Sequence, residues 1–399
     1  MYPLSQLYPN HNNKDNANAC PPPPRTRAEK HQQRKTSNLR TAIEMPEIKV
    51  LIIGCGVAGP VFAHFLKRKG YTPIVFEKVS QLGDAGASLM LMPNGLKVLS
   101  LVGILDDIRR DSIDLQALID TTSSGEVLGE SDLPRTFEAK YGTPGLGVKR
   151  TELNLKLKAM VQDLGVDVRE GWELEGIDET EDSVTAHFKG KSESVTGSFL
   201  IGCDGIKAAS RRVLLAKKGL QEGLPEFTGL TQVSKIHELS KKNHPSFITP
   251  PLKTSKVHTR LTSTTQTAGL SPTPAGLASQ PAMRNWYGAG VHVICYPVSS
   301  TTTSWAITLP EGSGQEAAWG LCTAAEMEER KRTLAERVRS WTDEVPAQLI
   351  RGATRIIKFG IYDREEMAPE QWHSRRCVLV GDAAHPTSPH LGQGANQAL

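Results

Sequence analysis

The chain has 399 residues, a formal net charge of +4, 38 % hydrophobic and 6 % aromatic residues, and 35 glycines with 25 prolines. That length suffices for one large or two ordinary domains, and the modest apolar fraction implies that part of the chain buries nothing. No run of 18 apolar residues occurs, which excludes a transmembrane helix. The six cysteines (Cys20, Cys55, Cys203, Cys295, Cys322, Cys377) form no C-x-x-C pair. A disulfide framework and a thiolate zinc site are therefore excluded, and a reducing, cytoplasmic location is expected. Residues 1–44 carry seven Lys/Arg against three Asp/Glu, and residues 233–266 carry six against one, so the rest of the chain is net acidic. Phosphate contact needs clustered basic side chains, so the main body is not expected to bind nucleic acid.

Residues 1–44 have no apolar period, include Pro21 to Pro24, and cannot bury enough surface to offset the entropy of ordering; a disordered extension is expected. The segment lacks the apolar core of a secretory signal, and Met45 is a candidate start just before the first predicted strand. Lys49 to Ile53 reads as a buried parallel strand, Val57 to Lys69 as a helix, and Thr72 to Glu77 as the next strand. Such a strand–helix–strand unit implies a right-handed crossover in a parallel sheet. Leu153, Leu157 and Met160 make a helical stripe, and Val166–Arg169, Ser183–Phe188 and Ser194–Ile201 read as strands. Two more strands are predicted at Val291–Tyr296 and Thr302–Leu309, a charged helix at 324–341, and a short strand at Cys377–Val380. Residues 233–266 interrupt this pattern, and a long structureless insertion is unusual inside a compact domain. Their codons are compatible with a splice donor at Val233-Ser234, a branch point at Leu261-Thr262 and an acceptor at Gln266, so translated intron sequence is one reading and a surface loop the other.

Three glycine-and-acid turns carry the chemistry, each directly after a predicted strand. In Gly54-Cys55-Gly56-Val57-Ala58-Gly59 the first glycine permits the tight turn, the second lets a pyrophosphate approach the backbone, and the third lets helix and sheet pack closely. Glu77 ends the next strand, 18 residues after Gly59, where a carboxylate accepts hydrogen bonds from ribose hydroxyls and disfavours a 2′-phosphate. The second turn is Gly202-Cys203-Asp204-Gly205-Ile206, followed by Arg211 and Arg212. The third is Gly381-Asp382-Ala383-Ala384-His385-Pro386, followed by Gly392-Gln393-Gly394-Ala395-Asn396. His385 and His390 stand five apart, and a metal site there needs further ligands. No G-x-S-x-G elbow is present, which disfavours an α/β-hydrolase.

On these three turns the sequence resembles the single-component FAD-dependent monooxygenases related to para-hydroxybenzoate hydroxylase, with closest likeness to salicylate-hydroxylase-like and fungal secondary-metabolite members. The likeness runs from Ile48 to Leu399 apart from the insertion. It implies an α/β fold: a Rossmann-like, glutathione-reductase-type FAD-binding domain with a mixed-sheet substrate domain. The expected division is a disordered extension (1–44), the first part of the FAD-binding domain (45–130), a second part with substrate-domain strands (131–212), the substrate domain containing the disordered insertion (213–345, with 233–266), and a third FAD-binding part (346–399). The family continues into a helical tail, so this last part is expected to be truncated.

By the same resemblance Gly54, Gly56 and Gly59 hold the pyrophosphate, Glu77 the ribose, and Gly86 and Arg150 approach the flavin. Asp204 belongs to a motif linked with FAD and NAD(P)H, Asp382 to the ribityl and pyrophosphate region, and Gly392, Gly394 and Ala395 to the isoalloxazine. Ala208 and Ser210 depart from the family's second turn, whereas Arg211 matches it and is the candidate for positioning substrate. The implied reaction uses FAD, NAD(P)H and O2 to hydroxylate or epoxidise a small, aromatic or polyketide-like substrate through a flavin C4a-hydroperoxide. Trp286, Tyr287, His292, Tyr296 and Trp305 are candidate substrate contacts. A flavin oxidase or dehydrogenase without oxygen insertion, and a truncated inactive relic, are the alternatives.

Overall fold

The strand Lys49–Ile53 sends alternate residues into two different cores. Val50 and Ile52 join Ala63, Val75 and Val161, and Leu51 and Ile53 join Phe76, Phe188 and Leu200. A strand apolar on both faces is stable only when both are covered, as in a parallel sheet. The computed structural model, which describes residues 47–83, 86, 88–222, 226–227, 264–310, 320–360, 362–363, 366–387 and 392–399, contains that sheet. Its order is Cys377–Leu379, Phe199–Gly202, Lys49–Ile53, Thr72–Glu77, Asp167–Glu170, all parallel. The helix Ala58–Arg68 makes the crossover between the first two strands in the chain, and the helix Arg150–Asp163 packs beside it. An antiparallel meander of Leu174–Glu179, Val184–Phe188 and Val195–Gly197 supplies residues to the other face.

The predicted continuous strand Ser194–Ile201 is in fact two. Val195–Gly197 pairs antiparallel with the meander, whereas Phe199–Gly202 runs parallel to Val50–Ile53. The chain changes partners at Ser198, whose N–H donates to Lys49 O at 2.7 Å. Gly197 fits there because a Cβ would stand 2.9 Å from Leu51 Cγ. Buried residues stand in both strands, so periodicity alone does not show the break.

An eight-stranded mixed sheet forms the second layer, in the order Gly320–Leu321, Arg355–Gly360, Thr264–Pro272, Thr302–Pro310, Val291–Pro297, Ala282–Gly288, Ala117–Thr122, Val127–Ser131. One face carries Trp286, Val293, Cys295, Trp305 and Ile307 into a core with Leu334, Leu349 and Ile350 from the helices Ala324–Arg337 and Val345–Arg351. The former helix starts at a Thr323/Glu326 capping box and ends before the predicted 341. Two sequence expectations differ here. Residues 117–122 and 127–130, placed within 45–130 as cofactor-domain chain, are strands of the eight-stranded sheet, because Ala117–Thr122 pairs with Ala282–Tyr287. The last residues of the predicted insertion, Thr264 to Gln266, also lie in that sheet, paired with Thr308 to Pro310, and Gln266 is buried. Residues 1–46 and the remainder of the insertion, 233–263, lie outside the described residues. Among the described residues no helix is long and apolar enough to cross a membrane.

His64 lies buried on the helix Ala58–Arg68, and neither ring nitrogen has a hydrogen-bond partner among the described residues. Burial, reinforced by Arg68, lowers its pKa below the usual histidine range. The unfolded chain therefore binds the extra proton first, and stability is lost as pH falls through about 6.5 toward the lower native value. His64→Leu is expected to raise stability by about 1 kcal/mol at pH 7 and by more at pH 5.5; chemical denaturation at the two pH values checks both the sign and the slope.

Candidate functional site

The turn Gly54–Gly59 is shaped by contacts that exclude side chains. Gly54 has φ +106°, and a Cβ there would lie 2.5 Å from Cys203 O; at Gly59 it would lie 2.0 Å from Gly54 O. At Gly56 a Cβ would meet nothing within 4 Å. The helix that follows has no side-chain cap, so its first N–H groups have no intrahelical acceptor and no capping oxygen beside that open space. Together these features make a cradle for an anion. Glu77 adjoins it: Oε2 accepts from Cys55 N at 2.9 Å and Oε1 from Val79 N at 3.1 Å. Cys55 itself is sealed in the core, and its thiol pKa is pushed up to about 12, chiefly by burial. That is the environment of an inert structural thiol.

The second turn abuts the first, since Ile53 pairs with Gly202 and Cys203 N donates to Ile53 O at 2.7 Å. Asp204 faces its own helix: Oδ2 accepts from Ser210 N at 3.0 Å and Oδ1 from the Ser210 hydroxyl. Burial raises its pKa, and these hydrogen bonds oppose the rise. Arg211 is buried, with Nε 3.4 Å from Glu222 Oε1 and Nη1 donating to Ala384 O at 3.3 Å, so it braces the third turn from behind. These contacts hold the guanidinium against the third turn. Its partners, 11 and 173 residues further on, were invisible to local reading.

The third turn joins the others through Val380 N, which donates to Gly202 O at 2.9 Å. Arg150 opens the helix Arg150–Asp163, and its aliphatic stem packs on Gly86, where a Cβ would stand 2.8 Å from Arg150 Cδ. The Arg150 side chain is exposed, yet desolvation by the surrounding protein lowers its pKa, against the opposing pull of Asp382. Asp382 is raised by burial, with Arg150 and then His385 acting the other way. Gly394 lies close by, since a Cβ there would be 3.9 Å from Asp382 Oδ1. Ala395 packs on the core beside Leu91 and Leu96, and Gly392 has φ +60° with open space around it. The structure therefore brings Gly54, Gly56, Gly59, Glu77, Asp204, Asp382, Arg150, Gly86 and Gly394 into one connected line of neighbours. His390 lies outside the described residues.

The far wall is the polar face of the eight-stranded sheet. Tyr296 OH bonds Ser88 Oγ at 2.7 Å, Ser88 also meets Ser304 Oγ, and Arg355 Nη2 donates to Gly86 O at 3.2 Å. Further along that face His292 Nε2 meets Asn285 Oδ1 at 3.1 Å, Asn285 Nδ2 donates to Asp120 Oδ1 at 2.8 Å, and Tyr287 stacks on His292 with centroids 5.0 Å apart. Trp286 and Trp305 are excluded as wall residues. Both are buried on the opposite face, with indole N–H groups bonded to Asp343 at 2.8 Å and Ser271 at 2.9 Å. Strand alternation carries this distinction, and it was available once the register was known. Arg355 and Ser88 had no sequence signal, because each acts through a partner far along the chain.

A parallel dinucleotide-type sheet with three glycine-and-acid turns at its carboxyl edge, facing a mixed sheet, is the architecture of a glutathione-reductase-type flavoprotein. The family model described as FAD binding domain matches residues 47–399. The chain is 28 % identical to 3-amino-4-hydroxybenzoate 2-monooxygenase of Streptomyces cremeus, over 88 % of this chain and 76 % of that protein. It is 25 % identical to the FAD-dependent monooxygenase OpS4 of Beauveria bassiana, over 88 % and 74 %. The crystal structure of Klebsiella pneumoniae HpxO complexed with FAD and uric acid has the same fold, with a TM-score of 0.67 at 23 % identity over 88 % of this chain and 77 % of that one. The chain belongs to the FAD-binding domain family, among the single-component FAD-dependent monooxygenases.

Proposed function

We propose that this chain is a monooxygenase that uses FAD, NAD(P)H and O2 to hydroxylate a small aromatic molecule, with the cofactor stretched along the line from Glu77 to Gly394. The observation that carries the reading is the open cradle at Gly56, bordered by an uncapped helix end and by the Glu77 carboxylate. Gly54, Gly56 and Gly59 would receive the pyrophosphate and Glu77 the adenosine ribose. Asp382 would accept from the ribityl hydroxyls, Arg150 and Gly86 would flank the ring, and Gly392, Gly394 and Ala395 would line its edge. Asp204, its carboxylate engaged by Ser210, shapes the loop between them. FAD supplies hydride acceptance from NAD(P)H and activation of O2 when bound. The chain's own residues orient the ring of the substrate over the sheet and keep water out. Tyr296 is suited to that wall: burial raises its phenol pKa, and Ser88 and Ser304 hold its hydroxyl.

The test is turnover under labelled O2 with a panel of hydroxy- and aminoarenes. Substrate-dependent NAD(P)H consumption with label in the product is expected; hydrogen peroxide in full yield with no label in any product would establish an oxidase instead. Glu77→Ala is expected to raise the dissociation constant for FAD about 30-fold or more, equivalent to about 2 kcal/mol for lost charge-assisted hydrogen bonds, as read by flavin fluorescence quenching.

A further inference from the structure

The polar face of the eight-stranded sheet has a directed hydrogen-bond chain. Asp120 accepts and never donates, so Asn285 turns its Nδ2 to Asp120 Oδ1 at 2.8 Å and its Oδ1 to His292 at 3.1 Å. His292 Nε2 must then be the donor, the tautomer being assigned from this network. Tyr287 OH adds a long contact to the same Asp120 oxygen at 3.5 Å. All protons point toward Asp120, and its other oxygen, Oδ2, accepts no hydrogen bond among the described residues. Asp120 is half-buried, and the stacked Tyr287–His292 pair beside it is flat, with 11° between the rings.

The charge on this face is lopsided. Cross-strand register puts Leu118, Asp120 and Thr122 on one face with Met283, Asn285 and Tyr287, then His292, Ile294 and Tyr296, then Ser304, Ala306 and Thr308. Gln266, Ala268, Leu270, Arg355 and Ile357 continue it on one side, and Gly129 and Ser131 on the other. Among the described residues so placed, Arg355 is the one Arg or Lys, and it is turned toward Gly86 O. A group arriving at Asp120 Oδ2 must donate a hydrogen, and an anionic group there meets a like charge with no guanidinium or ammonium from this face to offset it.

We infer that the substrate presents a hydrogen-bond-donating group, a hydroxyl or a protonated amine, to Asp120 through the Asp120–Asn285–His292–Tyr287 network, and that ring carboxylates are rejected at this position. This specificity rests on the substrate lying over the sheet, as in the function proposed above. It makes Asp120 a specificity residue and Asn285 and His292 positioning residues, which hold the carboxylate in place through the amide.

Calorimetric titration of the FAD-supplemented full chain with 3-hydroxybenzylamine, 3-hydroxybenzyl alcohol and 3-hydroxybenzoate tests the inference without turnover. The amine is expected to bind about tenfold or more tighter than the benzoate, with the alcohol between them, which is the scale of one like-charge contact at an intermediate effective dielectric. Asp120→Asn keeps an oxygen for Asn285 but puts an amide NH2 in place of Oδ2, and is expected to shrink the amine-to-benzoate ratio about tenfold and to weaken the alcohol as well, since its hydroxyl loses its acceptor. Equal or tighter binding of the benzoate by the unaltered chain overturns the inference, whatever happens to the variant, and so does an unchanged ratio in a folded Asp120→Asn protein. Amine preference in a chain that consumes no NAD(P)H upholds the inference and overturns the monooxygenase reading. Labelled product from benzoates but not from amines does the reverse.

Discussion

Gly59→Ala is expected to yield protein without bound flavin and with a lowered melting temperature, whereas Gly56→Ala is expected to lose flavin while melting normally. At Gly59 the new methyl would stand 2.0 Å from Gly54 O and 3.3 Å from Ile52 Cγ2, in contact with backbone that has nowhere to retreat. Overpacking of this kind costs about 1–3 kcal/mol or more, and here it also pries open the turn that presents the helix N–H groups. At Gly56 the same methyl meets nothing within 4 Å, so the folded protein tolerates it. It would nevertheless occupy the space into which a pyrophosphate must come to reach the backbone. A rise of about 100-fold in the FAD dissociation constant is expected for each variant, equivalent to about 2.7 kcal/mol. Thermal melting beside flavin titration separates them. Normal FAD binding by Gly56→Ala would remove the pyrophosphate from this turn and with it the proposed course of the cofactor.

Asn396→Leu should be among the most destabilising single changes in the folded region. The Asn396 side chain is buried, with Oδ1 accepting from Met92 N at 2.8 Å and Nδ2 donating to Met90 O at 3.0 Å and Gly392 O at 2.9 Å. It ties the short helix Gly394–Ala398 to the end of the strand Ser88–Leu91, and Gly95 is kept small beside it, since a Cβ there would be 2.5 Å from Asn396 Oδ1. Leucine leaves Met92 N–H and two carbonyls without this partner. At about 1–3 kcal/mol for each buried group so exposed, the loss is about 3–5 kcal/mol. Asn396→Asp should lose at least as much, because it keeps the acceptor for Met92 but turns a buried, acceptor-only carboxylate oxygen toward the Met90 and Gly392 carbonyls. Denaturant midpoints for the two variants check the order; a leucine variant as stable as the parent would show that the short helix contributes nothing to this packing.

The strand–helix–strand start, the three turns and the final short strand were all legible because their signals are local. An apolar run, a 3.6-residue stripe and the spacing of glycines each lie within one element. The split at Ser198 was hidden for the same reason, since both halves are short extended segments with buried residues and only their partners differ. The eight-stranded sheet was seen in part: Val291–Pro297 and Thr302–Pro310 stood out, but Ala117–Thr122 was assigned to the wrong layer because its partner Ala282–Gly288 lies more than 150 residues away.

By itself, then, the order of residues determined the dinucleotide-type sheet, the flavin-family turns and the acidic groups standing at strand ends, since steric freedom at glycine and burial of apolar runs act over a few residues. Tertiary structure alone decided that Arg211 braces a loop, that the two tryptophans face the core, that Arg355 reaches Gly86 across 269 positions, and that Asp120 ends a chain of donors. Which side of a strand faces which neighbour is set by register, and register is settled when the whole molecule packs.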